Sequence, residues 1–191
     1  MAVKAPPSGR TTPHGLASSM RRFVSLLVVA LLACRPGADA PPAAGEMAAH
    51  WTGSATGAFR APAGARWCVR DTLLELFAIR NDTAVGFALL PKDSLTAGVY
   101  SIFSAETFIA FRPQATAAAR WLDQVELKGF EGASGVVTVS DAGASGMSGT
   151  FEVSFRRSGA PDTLSLKGSF LRVPVGRAIE ACGRANRPAG G

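Results

Sequence analysis

A two-residue alternation through the C-terminal half of the chain restricts its fold more than any other feature. Val125 and Leu127 alternate with Glu126 and Lys128, and Val137 and Val139 alternate with Thr138 and Ser140. Beyond the turn-rich Asp141-Ala142-Gly143-Ala144-Ser145-Gly146, Phe151, Val153 and Phe155 alternate with Thr150, Glu152, Ser154 and Arg156. Leu164, Leu166 and Phe170 then share one phase against Thr163, Ser165, Lys167 and Ser169. Successive side chains of a strand point to opposite faces, so this pattern predicts strands with one buried and one wet face. Turn signals recurring roughly every 8–12 residues predict an all-β domain, either an antiparallel β-sandwich or a barrel-like meander.

The first half carries the same message with a weaker period. Residues 50–59, 66–69 and 73–79 are strand-like, Asn81-Asp82 supplies turn chemistry, and residues 83–90 return, which predicts a hairpin. The runs 73–79 and 83–90 are almost continuously apolar, so both of their faces are expected to be covered, as in central strands. Residues 96–102 and 108–111 read as further strands, and so does the alanine-rich run 115–122. Past Pro174, residues 175–185 are expected to form a short C-terminal helical segment. Ser134-Gly135, Ser148-Gly149 and Gly168-Ser169 repeat a motif that sets glycine before an inward apolar residue. Such a glycine marks either a close ligand approach or a reused strand pattern.

With 191 residues, 47% of them hydrophobic, the chain suffices for one domain with a sizeable core. No stretch reaches the roughly 20 apolar residues that a membrane-spanning helix needs. Near the N-terminus Arg21-Arg22 precede an eleven-residue apolar run, 23–33, which ends in Leu31-Leu32-Ala33-Cys34. That length suits the apolar region of an export signal. Two starts are open, Met1 with an extended leader or Met20; a leader rich in Pro, Ser, Thr and Ala is unusual before such a signal, which favours Met20. Pro36, Pro41 and Pro42 among Ala and Gly then make a flexible tether. The expected organisation is a signal over 1–33, a tether over 34–49, a β domain over 50–183 and a mobile tail over 184–191.

Leu31-Leu32-Ala33-Cys34 resembles the lipobox of bacterial lipoproteins, although Leu32 is bulkier than the residue usual at its place. With Ser148-Gly149-Thr150-Phe151, the run from Thr163 to Phe170, and Val173-Pro174-Val175, the chain is similar to small β-rich lipoproteins of bacterial envelopes. The resemblance implies cleavage before Cys34, a diacylglyceryl group on its thiol and acylation of the new amino group. It also implies a lipid-anchored envelope protein. Arg35 stands where an Asp would signal inner-membrane retention, which implies the periplasmic face of the outer membrane in a Gram-negative cell. The same residues also admit an ordinary secretory signal cut after Ala38-Asp39-Ala40, although Pro41 would follow that cut. The resemblance brings no reaction with it.

The formal charge of +6 invites a nucleic-acid reading, but Lys4, Arg10, Arg21 and Arg22 all precede Cys34 with no acidic residue among them. Without those four, 16 basic residues face 14 acidic ones, which is not the basic footprint of a nucleic-acid binder. Once Cys34 is lipidated, Cys68 and Cys182 remain, and an exported compartment permits a disulfide between them. Two buried thiols are the alternative.

Catalytic constellations are not apparent. His50 is the one histidine after Cys34, and there is no Gly-x-Ser-x-Gly elbow, phosphate loop or dinucleotide fingerprint. Asp71 with Glu75, or Glu126 with Glu131, could form a carboxylate pair, but nothing sets them apart from surface acids. Asp141 lacks the acidic spacing of a calcium loop. No cofactor or metal is expected. Trp51, Trp67, Tyr100 and Trp121 are the candidate ligand-binding residues, able to line a groove or barrel mouth for an apolar or sugar ligand. The expected function is an interaction module held at the membrane by lipid and binding an envelope protein. The alternatives are a carrier of a small apolar ligand or, last, a carboxylate-dependent hydrolase.

Overall fold

A computed structural model describes residues 40–68, 73–104, 112–157 and 159–179. The strands are β1 (Glu46–Gly53), β2 (Gly57–Cys68), β3 (Leu73–Arg80), β4 (Thr83–Leu90), β5 (Gly98–Phe103), β6 (Gln114–Asp123), β7 (Glu126–Gly143), β8 (Gly146–Arg156), β9 (Thr163–Val173) and β10 (Val175–Ile179). They form one all-β, ten-stranded sheet in the order β1-β9-β8-β7-β5-β6-β4-β3-β2-β10. Additional β1–β2 and β7–β6 pairings close a barrel-like ring through β1, β9, β8, β7, β6, β4, β3 and β2. A closed ring leaves few unpaired backbone edges, and in this chain it explains how strands with one apolar face bury it without a second layer.

Two short strands fill the places where long neighbours part. Strand β7 pairs with β6 through residues 126–131 and with β5 through residues 134–139. Strand β2 pairs with β1 through residues 57–62 and with β10 through residues 65–68. The β5–β6 and β10–β2 pairings are parallel, so the sheet is mixed rather than purely antiparallel. The helical segment expected over 175–185 is corrected as far as the described residues reach: the chain is extended from Val175 to Ile179, because the lower part of β2 runs beyond the start of β1 and presents an open edge that β10 occupies, and residues 180–185 lie outside the described residues. The Ala65 amide donates to the Pro174 carbonyl at 3.1 Å, sealing that junction.

The hairpin expected at Asn81-Asp82 joins β3 to β4, with Asn81 at φ 53°. The run 115–122 is strand, within β6. Sheet begins at Glu46, inside the segment read as tether; Met47, Ala48 and Ala49 are all buried there, a run whose small alanines give no apolar signal in the sequence. The expected strand at 108–111 lies outside the described residues.

Side chains fill the interior. Trp51 stacks on Trp121 with ring centroids 5.2 Å apart, and Trp121 stacks on Phe130 at 4.6 Å. Phe87 of β4 meets Phe151 of β8 at 4.8 Å, joining strands that are not neighbours in the sheet. The repeated glycines have their reason here. Gly149 lies opposite Phe170 and Gly168 opposite Phe151 on paired β8 and β9. A Cβ at Gly149 would stand 2.6 Å from the Phe170 ring, and one at Gly168 would stand 2.5 Å from the Phe151 ring. Each phenyl thus lies over the glycine across from it, whereas Gly135, at φ 135°, faces Val153, with an added Cβ 2.2 Å from the Glu152 carbonyl oxygen; in all three copies the neighbouring strand accounts for the glycine.

Candidate functional site

The outward face of β3, β4 and β6 departs from the rule that the wet side of a strand is polar. Its cross-strand rows are Phe77–Gly86–Ala118, Ile79–Ala84–Arg120 and Glu75–Ala88–Thr116. Expected full coverage of this face is therefore corrected: Phe77 is half-buried, Ile79 is 54% exposed, and Ala118 is exposed. The near-continuous hydrophobicity of residues 73–79 and 83–90 has two reasons: around Phe77, Ile79, Gly86 and Ala118 the outward face is open among the described residues, whereas at the end of β4 the outward Leu90 is buried like its cross-strand partner Gln114.

Local sequence shapes this face into a groove. Phe77 leans toward β2, where a Cβ at Gly64 would stand 3.2 Å from its ring. Arg66 holds it there, with the guanidinium 5.1 Å from the ring centroid and 2.8 Å from the Glu75 carboxylate. A cation over an aromatic face is attracted by the ring quadrupole. The lean uncovers Gly86, around which the nearest atom to an added Cβ would be 3.8 Å away. Two adjoining hollows of about 570 Å³ and about 480 Å³ share Phe77, Ile79, Gly86, Ala118 and Glu131. Glu131 and Arg120 stand at the rim, with no ion-pair partner among the described residues. An apolar floor with a few charges at its margin is the composition that recognition of an apolar partner requires.

A second apolar feature is the tip of the β6–β7 hairpin. Val125 is 95% exposed, and Leu122 and Leu127 face one another across the hairpin at 46% and 56% exposure. The charges around the tip are paired: Lys128 donates to Asp123, and Arg157 donates to both Glu126 and Asp162. These bonds hold the Lys128 and Arg157 pKa values above their ordinary ones, the Asp123 and Glu126 hydrogen bonds being the leading causes.

The residues singled out from sequence sit elsewhere. Trp51 and Trp121 are buried in one aromatic stack, and Tyr100 is 1% exposed, with its hydroxyl donating to the Thr96 carbonyl. Trp67 is partly buried against the same core. The structure brings Trp51 and Trp121 together but does not bring either to the groove. His50 is exposed on β1. Glu75 is engaged by Arg66 and Glu126 by Arg157, while Asp71 lies outside the described residues. Glu131 belongs to the groove rim, five positions from Glu126 and so on the opposite face of β7. Asp141 is exposed, and no cluster of three or more potential metal ligands occurs among the described residues. Cys34 and Cys182 lie outside the described residues, and Cys68 is buried at the end of β2. Gly86, Ala118 and Phe77 were missed by sequence reasoning; the signal that could have found them was an apolar run unbroken by the alternation seen elsewhere. No protein-family model, curated protein or solved structure matches this chain.

Proposed function

We propose that this chain is a lipid-anchored envelope protein whose β domain works as an interaction module, binding an apolar partner along the outer groove of β3, β4 and β6. The observation that carries the reading is the Phe77–Gly86–Ala118 row, apolar and open where the outward rows of β8 and β9 from Thr150–Ser169 to Ser154–Ser165 are polar. Filling of the interior by Trp51, Trp121, Phe130, Phe87 and Phe151 favours an outer binding surface over a carrier cavity. The anchor at Cys34 rests on the lipobox resemblance. Site-specific photocrosslinking in cells tests the groove: a probe at Ala118 should give a discrete adduct that is lost with Gly86→Trp and absent for a probe at Thr150. Equal adducts from both positions, or an Ala118 adduct indifferent to Gly86→Trp, would refute it.

We also propose a Cys68–Cys182 disulfide. Strand β10 sets Ile179 opposite Cys68, and Cys182 follows three positions later, within about 10 Å of chain. Reduction of the unlabelled protein should add the mass of two hydrogens; full alkylation of both thiols without reductant would contradict the bridge.

A further inference from the structure

We infer that the tip of the β6–β7 hairpin is a second membrane contact, which lays Leu122, Val125 and Leu127 into the lipid surface that holds the anchor; the inference rests on the anchoring proposed above. Turns between strands favour Gly, Asn and Asp, because these tolerate a positive φ and water. Here the turn is Gln124-Val125, with Gln124 at φ 56° and Val125 almost wholly in solvent. Valine supplies neither turn chemistry nor core packing at that place, and the two leucines beside it are also turned outward. The charged groups flanking the turn are paired, Asp123 with Lys128 and Glu126 with Arg157, which lowers the cost of bringing the tip to a lipid surface; Arg120, two positions before Leu122 and without an ion-pair partner among the described residues, is a cation free to meet anionic headgroups.

Shape and position select lipid as the occupant. A projecting tip of three side chains is convex and far smaller than the roughly 800 Å² per partner of a stable protein interface. Shallow insertion of apolar side chains between headgroups has no such requirement. The tip also lies near the place where the chain enters the fold. Leu122 and Arg60 line one surface hollow, and Arg60 donates to the carbonyls of Ala40 and Pro41. Cys34 stands six positions before Ala40, a span of at most about 20 Å. An acyl anchor and this tip can therefore meet one bilayer surface, and two attachments hold a protein far better than one.

The test uses the native, lipid-modified chain in vesicles of phosphatidylethanolamine and phosphatidylglycerol. An environment-sensitive fluorophore is attached at Val125→Cys and, as a control, at Ser145→Cys on the β7–β8 turn. Expected are a blue shift at position 125, quenching there by lipids spin-labelled near the headgroup, and at least about threefold protection from an aqueous quencher relative to position 145. A water-like spectrum and equal quenching at both positions would overturn the inference. A shift at position 125 without lipid quenching, accompanied by crosslinks between copies, would assign the tip to self-association and also overturn it. Mass analysis of the same sample separates the two proposals: an unmodified Cys34 sinks the anchor, whereas an acylated Cys34 with a water-exposed label sinks the tip alone. Since cysteine changes the side chain probed, a label at Gln124→Cys, which leaves Val125 in place, must give the same result.

Discussion

Two walls of one ring use their outward faces in opposite ways. On β8 and β9 the outward rows pair Thr150 with Ser169, Glu152 with Lys167, and Ser154 with Ser165, and the Glu152–Lys167 ion pair measures 2.7 Å. On β4 and β6 the corresponding rows pair Gly86 with Ala118 and Ala88 with Thr116, beside Phe77 and Ile79 of β3. Inward, both walls do the same work, with Phe87 of one touching Phe151 of the other. The difference is therefore not a demand of the fold. A polar outer face keeps a strand soluble at no cost to the core, so the apolar one on the facing wall supports the interaction surface proposed above.

The largest effect should come from the interior that the two walls share. Trp121→Ala removes the middle ring of the Trp51–Trp121–Phe130 stack and should cost about 3–5 kcal/mol in denaturant unfolding. A loss below about 1 kcal/mol would mean that the interior is not packed as described. Alanine at glycine next separates the packed inward side of one wall from the open outward side of the other. At Gly168 the new Cβ would stand 2.2 Å from the Ala48 carbonyl oxygen, and overpacking of this kind costs about 1–3 kcal/mol. At Gly86, with 3.8 Å of clearance, the same change should stay within about 0.5 kcal/mol. Equal costs at the two sites would mean that the inward Gly168 is not packed, or the outward Gly86 not open, as described.

Gln114, on the outward phase of β6, is 2% exposed, and neither its Nε2 nor its Oε1 has a hydrogen-bond partner among the described residues. Replacing an unsatisfied polar group by an apolar one of similar shape removes a desolvation cost, so Gln114→Met should stabilise by about 1 kcal/mol. Destabilisation would show that the carboxamide is engaged. Smallest of all, Glu152→Ala should cost about 0.2–1 kcal/mol, since its ion pair with Lys167 is half exposed on both sides.

The polar wall was legible in the sequence because period-two alternation states both which side is buried and that the other is wet. Phe151, Val153 and Phe155, expected inward, are buried. The groove was not legible, because an apolar run reads identically whether its second face meets another layer or open water. Ring closure decides between those cases, and it depends on the β1–β2 pairing and the long-range β1–β9 pairing, which no local pattern encodes. Strand β10 was hidden for a similar reason: Pro174 signals a stop, while the open edge of β2 that draws the chain onward is a tertiary fact. The tryptophans suited a binding site by type, but the same type fills a core, and burial assigned Trp51 and Trp121 to the core.

Groove and hairpin tip matter together only on a chain held at a membrane, so the native N-terminus is the decisive quantity. Intact mass spectrometry of the protein from its own cells should give a chain beginning at Cys34 and carrying a diacylglyceryl group on Sγ, with a further acyl group on the α-amino nitrogen. An unmodified chain beginning after Ala40, recovered from the soluble fraction, would contradict it.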